Sequence, residues 1–177
     1  MRTEAIQRVT LVFSLFDVNG NGVLDAEDFT LMNDRVAAAA PHAAQDAKDT
    51  MRAAFEEYWE ALVTGYDTNG DGVISLEEFI ACVLAPERFT PAVVAFADAL
   101  VALGDPDGDG HVERADFTAL MIAIGFRPAN IDTLFDAFGP DERDSIAGAT
   151  WHEGIKDFYG ADKAGIAGDH LLTGTGF

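Results

Sequence analysis

An all-α fold of four helix–loop–helix units, packed as two pairs, is predicted by three observations in this 177-residue chain. Three twelve-residue segments, starting at Asp17, Asp67 and Asp105, align without gaps and carry an oxygen-bearing side chain at positions 1, 3, 5 and 12 and glycine at position 6. Each is followed at once by a phenylalanine: Phe29, Phe79 and Phe117. Apolar residues recur at helical spacing on the flanks, which marks amphipathic helices rather than strands. Repetition of one register sets the architecture before any single element is considered.

The elements follow in order. Ile6, Val9, Phe13 and Phe16 share one helical face before the first segment, and Phe55, Trp59, Leu62 and Tyr66 share one before the second. Val93, Phe96 and Leu100 precede the third, with Thr90 as N-cap and Pro91 at the first helical position. Outgoing helices start near position 9 and carry Phe29 and Met32, Phe79 and Cys82, and Phe117 and Leu120. The apolar register alone reveals a fourth unit. Phe135 and Phe138 precede Gly139 as Phe13 and Phe16 precede Asp17, Trp151 stands in the place of the three phenylalanines, and Ile146 in that of Leu24, Ile74 and Val112. Its ligand positions are lost, with Gly139 at position 1, Arg143 at 5, Asp144 at 6 and Thr150 at 12. This loop is expected to bind no metal and to serve by completing its pair.

The spacing divides the chain into a first pair over 1–85 and a second over 90–160, joined near Ala85 to Phe89. A Gly-rich segment over 161–177 carries Leu171, Leu172 and Phe177, and reads either as a disordered tail or as an apolar plug between helices. The extra length between the first two loops sits in Ala37 to Met51.

The formal charge of −20 disfavours nucleic acid and anionic membrane surfaces, which attract cations. The acids recur in spaced groups between apolar stretches, which separates a cation binder from an acidic tail. One cysteine, Cys82, excludes an intramolecular disulfide and reads as a buried thiol on a core-facing helix. No apolar run reaches a membrane span, and the start Met1-Arg2-Thr3-Glu4 lacks a signal-peptide core, so a cytoplasmic monomer is expected.

The segments have the spacing of EF-hand calcium loops. Calcium takes six to eight oxygens at flexible geometry, and alternate side chains of a tight loop supply them at positions 1, 3 and 5, with the position-7 carbonyl and the position-12 carboxylate. The candidate ligands are Asp17, Asn19, Asn21, Val23, Asp25 and Asp28; Asp67, Asn69, Asp71, Val73 and Glu78; and Asp105, Asp107, Asp109, His111, Glu113 and Asp116. Val23, Val73 and His111 offer only their carbonyls. Asp25 and Glu113 at position 9 coordinate directly or hold a water, and Ser75 acts through water. Gly22, Gly72 and Gly110 meet the need for positive φ at position 6. Position 8 pairs the loops, Leu24 with Ile74 and Val112 with Ile146. Glu78 is long enough to clamp calcium with two oxygens, whereas Asp28 and Asp116 are one methylene shorter and are expected to admit Mg2+ in competition with Ca2+.

Four hands in two pairs, the length, Asp28 closing the first loop and the Gly-rich end from Ala164 to Gly176 resemble the sarcoplasmic calcium-binding protein and calerythrin family. The likeness covers nearly the whole chain. It implies a compact protein with fused lobes, calcium or magnesium in its sites, and a role as a calcium buffer or transport protein. In calerythrin the second hand is the atypical one, whereas here the fourth has failed. Gly104 replaces the usual aromatic before the third loop, which predicts looser packing there.

Two other classes fit the same scaffold. A calmodulin-type sensor would expose a Met-rich groove to a target protein, but the internal methionines are only Met32, Met51 and Met121. A photoprotein-like binder or enzyme would need a cavity, for which Tyr58, Trp59, Trp151, His152 and Tyr159 are the candidates. His152 has no acid or nucleophile partner visible in sequence, and His42 and His170 lie in polar or Gly-rich segments, so no enzyme is expected.

Overall fold

The computed structural model describes residues 3–84 and 88–174; Ala85 to Glu87 of the linker and the last three residues, with Phe177, lie outside them. Helices α1 (Thr3–Phe16), α2 (Ala26–Ala39), α3 (Gln45–Tyr66) and α4 (Leu76–Leu84) form the first two hands. Helices α5 (Thr90–Gly104), α6 (Arg114–Ile124), α7 (Pro128–Ala137) and α8 (Gly148–Phe158) form the other two, with strands β1 (His111–Glu113) and β2 (Ser145–Ala147) between them. A 3-10 turn over Ala167–Leu172 closes the chain.

Loop chemistry sets the helix boundaries. Asp25 caps α2 with extended backbone, accepting from the amides of Glu27 and Asp28 while Asp28 accepts from the Asp25 amide. This reciprocal box satisfies donors that a helix start leaves open. Pro91 lies in the first turn of α5, and Thr90 begins that helix with Phe89 in the cap position, one residue before the expected boundary. At the end of α6, Gly125 takes φ 114°, and a Cβ there would meet Leu15 Cδ2 at 3.1 Å, so α6 stops against α1.

Loops pair as their position-8 residues predict. Leu24 and Ile74 exchange both backbone bonds, at 2.8 and 2.9 Å, in one antiparallel bridge. β1 and β2 run antiparallel with Val112 opposite Ile146. Above these contacts lies one continuous apolar core running from Val9 to Leu171. Helix α5 packs on α3 and on α8, and α2 packs on α6, so units from both halves of the chain contribute to it. Phe16 touches Phe29, Phe55, Tyr58 and Phe96 at ring centroid distances of 5.5–6.4 Å. Helix α5 thus inserts Phe96 into the aromatic cluster of the first two hands.

Two expectations need correction. Gly104 does not loosen the packing, because a Cβ there would lie 3.0 Å from Trp151 Cζ3 and 3.1 Å from Val112 Cγ1. The indole fills the space that an aromatic before the loop would otherwise take. Ile6 is 36% exposed and outside the core, while Arg8 on the same helix is fully buried. Arg8 Nε donates to Phe158 O at 2.8 Å, Nη2 to Gly160 O and Lys163 O at 3.0 Å, and Nη1 pairs with Asp169 Oδ1 at 2.5 Å. A second clip comes from α7, where Asn130 Nδ2 donates to Leu171 O and Thr173 O. Between these clips Leu171 is buried, so the segment after Tyr159 packs as a plug over its described residues.

Candidate metal centre

The three ligand-type loops share one hydrogen-bond scaffold. The position-6 glycine amide donates to the position-1 carboxylate in each: Gly22 to Asp17 Oδ2 at 2.9 Å, Gly72 to Asp67 Oδ2 at 3.0 Å, Gly110 to Asp105 Oδ2 at 2.9 Å. The position-5 amide donates to the position-3 side chain, Asn21 to Asn19 Oδ1, Asp71 to Asn69 Oδ1 and Asp109 to Asp107 Oδ1. The position-7 amides of Val23, Val73 and His111 donate to Asn21, Asp71 and Asp109. Gly22, Gly72 and Gly110 have φ of 87°, 79° and 85°, where a Cβ would be strained. Backbone donors therefore orient the side-chain oxygens from behind. In the third loop, carboxylate oxygens of Asp105, Asp107 and Asp109 lie within 4.8 Å of one another. A donor set of carboxylate, amide and backbone oxygens suits a hard divalent cation of the calcium or magnesium class.

Position 12 differs among the loops. Glu78 Oε1 accepts from the amide and hydroxyl of Thr68, and Oε2 from the amide and hydroxyl of Ser75, so the carboxylate spans the loop. The amides of Ser75 and Thr68 hold its pKa down at about 2. Asp28 bridges the corresponding ends, accepting from Asn19 N and Asp25 N, and burial pushes its carboxyl up. Asp116 has no comparable tie among the described residues, and Glu113 makes no side-chain cap bond to α6. Asp25 is occupied as a cap through Oδ1, and its Oδ2 accepts from Asn21 Nδ2 at 3.0 Å.

The family comparison agrees with this geometry. Residues 6–84 match the model of the EF-hand domain pair. Calexcitin-1 of Caenorhabditis elegans is 27% identical over 172 residues, 91% of this chain and 82% of the relative. A Streptomyces coelicolor calcium-binding protein, described in connection with prokaryotic calcium-mediated regulation, superposes with a TM-score of 0.72 at 25% identity, over 88% of this chain and 97% of that one. The amphioxus sarcoplasmic calcium-binding protein superposes with a TM-score of 0.68 at 19% identity over 97% of each chain, which shows a common fold.

The fourth EF-hand-like loop, residues 139–150, is wired by protein groups. Asp141 Oδ1 accepts from the amides of Arg143 and Ser145 and from the Ser145 hydroxyl. Asp144 has φ 58° at the position-6 turn, where the first three loops use glycine. Arg114 offsets that strain by gripping Asp144 at 2.8 Å and Asp136 at 2.7 Å while its guanidinium lies 4.4 Å from the Phe135 ring centroid. Arg114 thus brings a positive charge to Asp144 of this loop from the start of α6.

The aromatic candidates divide. Trp151 and Tyr159 line an apolar cavity with Phe16, Phe96, Leu134 and Leu171, whereas Tyr58, Trp59 and His152 do not. Its volume is about 60 Å³, against ~300–1,000 Å³ for small-molecule pockets. His152 does have acidic neighbours, contrary to expectation, with Nε2 3.1 Å from Asp98 Oδ1 and Nδ1 3.3 Å from Glu153 Oε1. Asp98 comes from α5, far away in sequence, so no local signal announced it. His42 and His170 are exposed, and Cys82 is buried, with its thiol pKa raised by desolvation. Among the described residues, no helix is long and apolar enough to cross a membrane.

Proposed function

We propose that this protein binds three calcium ions, in the loops beginning at Asp17, Asp67 and Asp105, and acts as a cytoplasmic calcium buffer or transport protein, working as a monomer. The observation that carries the calcium reading is the hydrogen-bond scaffold repeated three times, with oxygen donors at every coordinating position. The ligands in this reading are the side chains at positions 1, 3, 5 and 12, the carbonyls of Val23, Val73 and His111, and Asp25 and Glu113 directly or through water. The first two hands act as one pair and the last two as another. A buffer needs no target groove, and Leu171 is buried and lines the small apolar cavity together with Phe16, Leu134 and Trp151. A cytoplasmic setting suits the single buried thiol of Cys82.

Calorimetry is expected to give three calcium ions per chain. Metal bound in the 139–150 loop would overturn that count. Magnesium at millimolar concentration is expected to displace calcium first from the loops ending in Asp28 and Asp116. Glu78 alone reaches with two oxygens and supplies the higher coordination number that calcium favours. Loss of calcium from the 67–78 loop ahead of the others contradicts the argument.

A sensor reading is favoured by one observation, the likeness to the Streptomyces protein described with calcium-mediated regulation. The two readings predict opposite signs. A buffer closes, and binding of a hydrophobic dye falls on adding calcium; a sensor opens apolar surface, and dye binding rises.

A further inference from the structure

The failed fourth loop reaches into the third. Arg143, at position 5 of the fourth loop, places Nη1 3.4 Å from Asp109 Oδ2 and Nε 3.6 Å from Asp141 Oδ2. Asp109 is position 5 of the third loop, and its carboxylate belongs to the acidic trio with Asp105 and Asp107. The arginine is anchored at its base, since its amide donates to Asp141 Oδ1 at 2.9 Å. The two loops are fixed to one another as well, by the β1–β2 ladder, by the Gly148 amide on Gly110 O at 2.9 Å, and by Arg114 on Asp144. In the first pair the corresponding position-5 residues, Asn21 and Asp71, carry no positive charge.

We propose that Arg143 is a tethered counter-ion of the third loop that weakens its hold on calcium. The inference rests on reading the third loop as a calcium site. That loop gathers five acids, Asp105, Asp107, Asp109, Glu113 and Asp116, more than either of the others. Empty, they repel one another, and a guanidinium beside Asp109 relieves part of that repulsion. Calcium must displace the guanidinium from Asp109 and then remain bound close to its positive charge. Arg143 thus stabilises the empty loop and destabilises the filled one, and both effects lower affinity. Its side chain is 64% exposed, so solvent and salt weaken the effect without abolishing it. A charge-based attraction of this kind on an exposed pair amounts to about two- to fivefold in affinity. The strongest electrostatic site is thereby brought back towards the other two, which favours release as calcium falls.

The test follows each site separately in the full-length chain. The amides of Gly22, Gly72 and Gly110 all donate to a position-1 carboxylate, so each reports on its own loop in a nitrogen-15 spectrum. Chelator-buffered calcium titrations are run at one fixed pH for all variants, because His111 Nδ1 also lies 3.5 Å from Asp109 Oδ1. In Arg143→Gln, the Gly110 midpoint is expected at about two- to fivefold lower free calcium, with the Gly22 and Gly72 midpoints unmoved. Arg143→Lys, which keeps the charge, should stay near the unmodified chain, and 0.5 M KCl should shrink the difference. An unchanged or higher Gly110 midpoint in Arg143→Gln overturns the proposal while leaving the calcium site itself standing. A Gly110 amide that ignores calcium in the unmodified chain overturns the reading of the third loop, and this inference with it.

Discussion

Chelating all calcium is expected to lower the melting temperature by about 20 °C or more relative to the protein in excess calcium. A ligand that binds only the folded state at a hundredfold its Kd adds ~2.7 kcal/mol. Filling the three proposed sites would add about 8 kcal/mol, and in a chain of this size each kcal/mol moves Tm by ~2–4 °C. The charge of −20 sharpens the effect, because the carboxylates the metal neutralises repel one another when it leaves. The loss should be uneven. The third and fourth loops remain joined by a three-residue ladder and by Arg114 on Asp144 and Asp136, none of which needs metal. Among the described residues, the first two loops share only the Leu24–Ile74 bridge. Amide exchange at Leu24 and Ile74 is therefore expected to accelerate before that at Val112 and Ile146. Thermal unfolding by circular dichroism, with and without chelator, checks the first claim, and a shift below about 5 °C would refute the mass-action argument.

The features legible in the sequence are those whose physical requirement is local. A cation loop needs fixed residue types at fixed spacing, and its pairing residue must be apolar, so Leu24, Ile74, Val112 and Ile146 could be matched in advance. The fourth unit is readable through Phe135, Phe138, Ile146 and Trp151, because its helices must cover the core whatever its loop carries. Gly104 carries no local sign of what packs against it. Its small size belongs with the large Trp151 of the fourth unit, and the two make one volume only in three dimensions. Arg8 was invisible for the same reason. It lies with Ala5 and Val12 on a buried stripe, and its carboxylate partner, Asp169, is 161 residues away. A charge on an apolar face was the one available signal, since such a residue must find a partner if it is buried. Arg143 was readable as a lost ligand, but its reach to Asp109 depended on how the two loops abut.

Replacing Arg8 is expected to release the C-terminal plug and to cost as much stability as truncating a buried core aromatic. Arg8 satisfies the carbonyls of Phe158, Gly160 and Lys163 and neutralises Asp169, whose side chain is only 21% exposed. Removing one partner of a buried ion pair typically costs ~3–5 kcal/mol, because the other charge and its acceptors stay desolvated. For Arg8→Met this means a fall in Tm of about 10 °C in saturating calcium. Asp169→Asn should be milder, since three carbonyls still hold the guanidinium. Truncation after Asp169 attacks the same plug from the other end. It keeps the ion pair but removes Leu171 from its buried seat and takes away the carbonyls of Leu171 and Thr173 that Asn130 binds. Both changes uncover the same apolar surface near Phe16, Leu134 and Trp151, so hydrophobic-dye fluorescence should rise severalfold in each. Because they release one structural unit, the combined variant should lose clearly less stability than the two single losses added together. Strict additivity, or an Arg8→Met chain that melts within about 2 °C of the unmodified one, would show that Arg8 does not hold the plug.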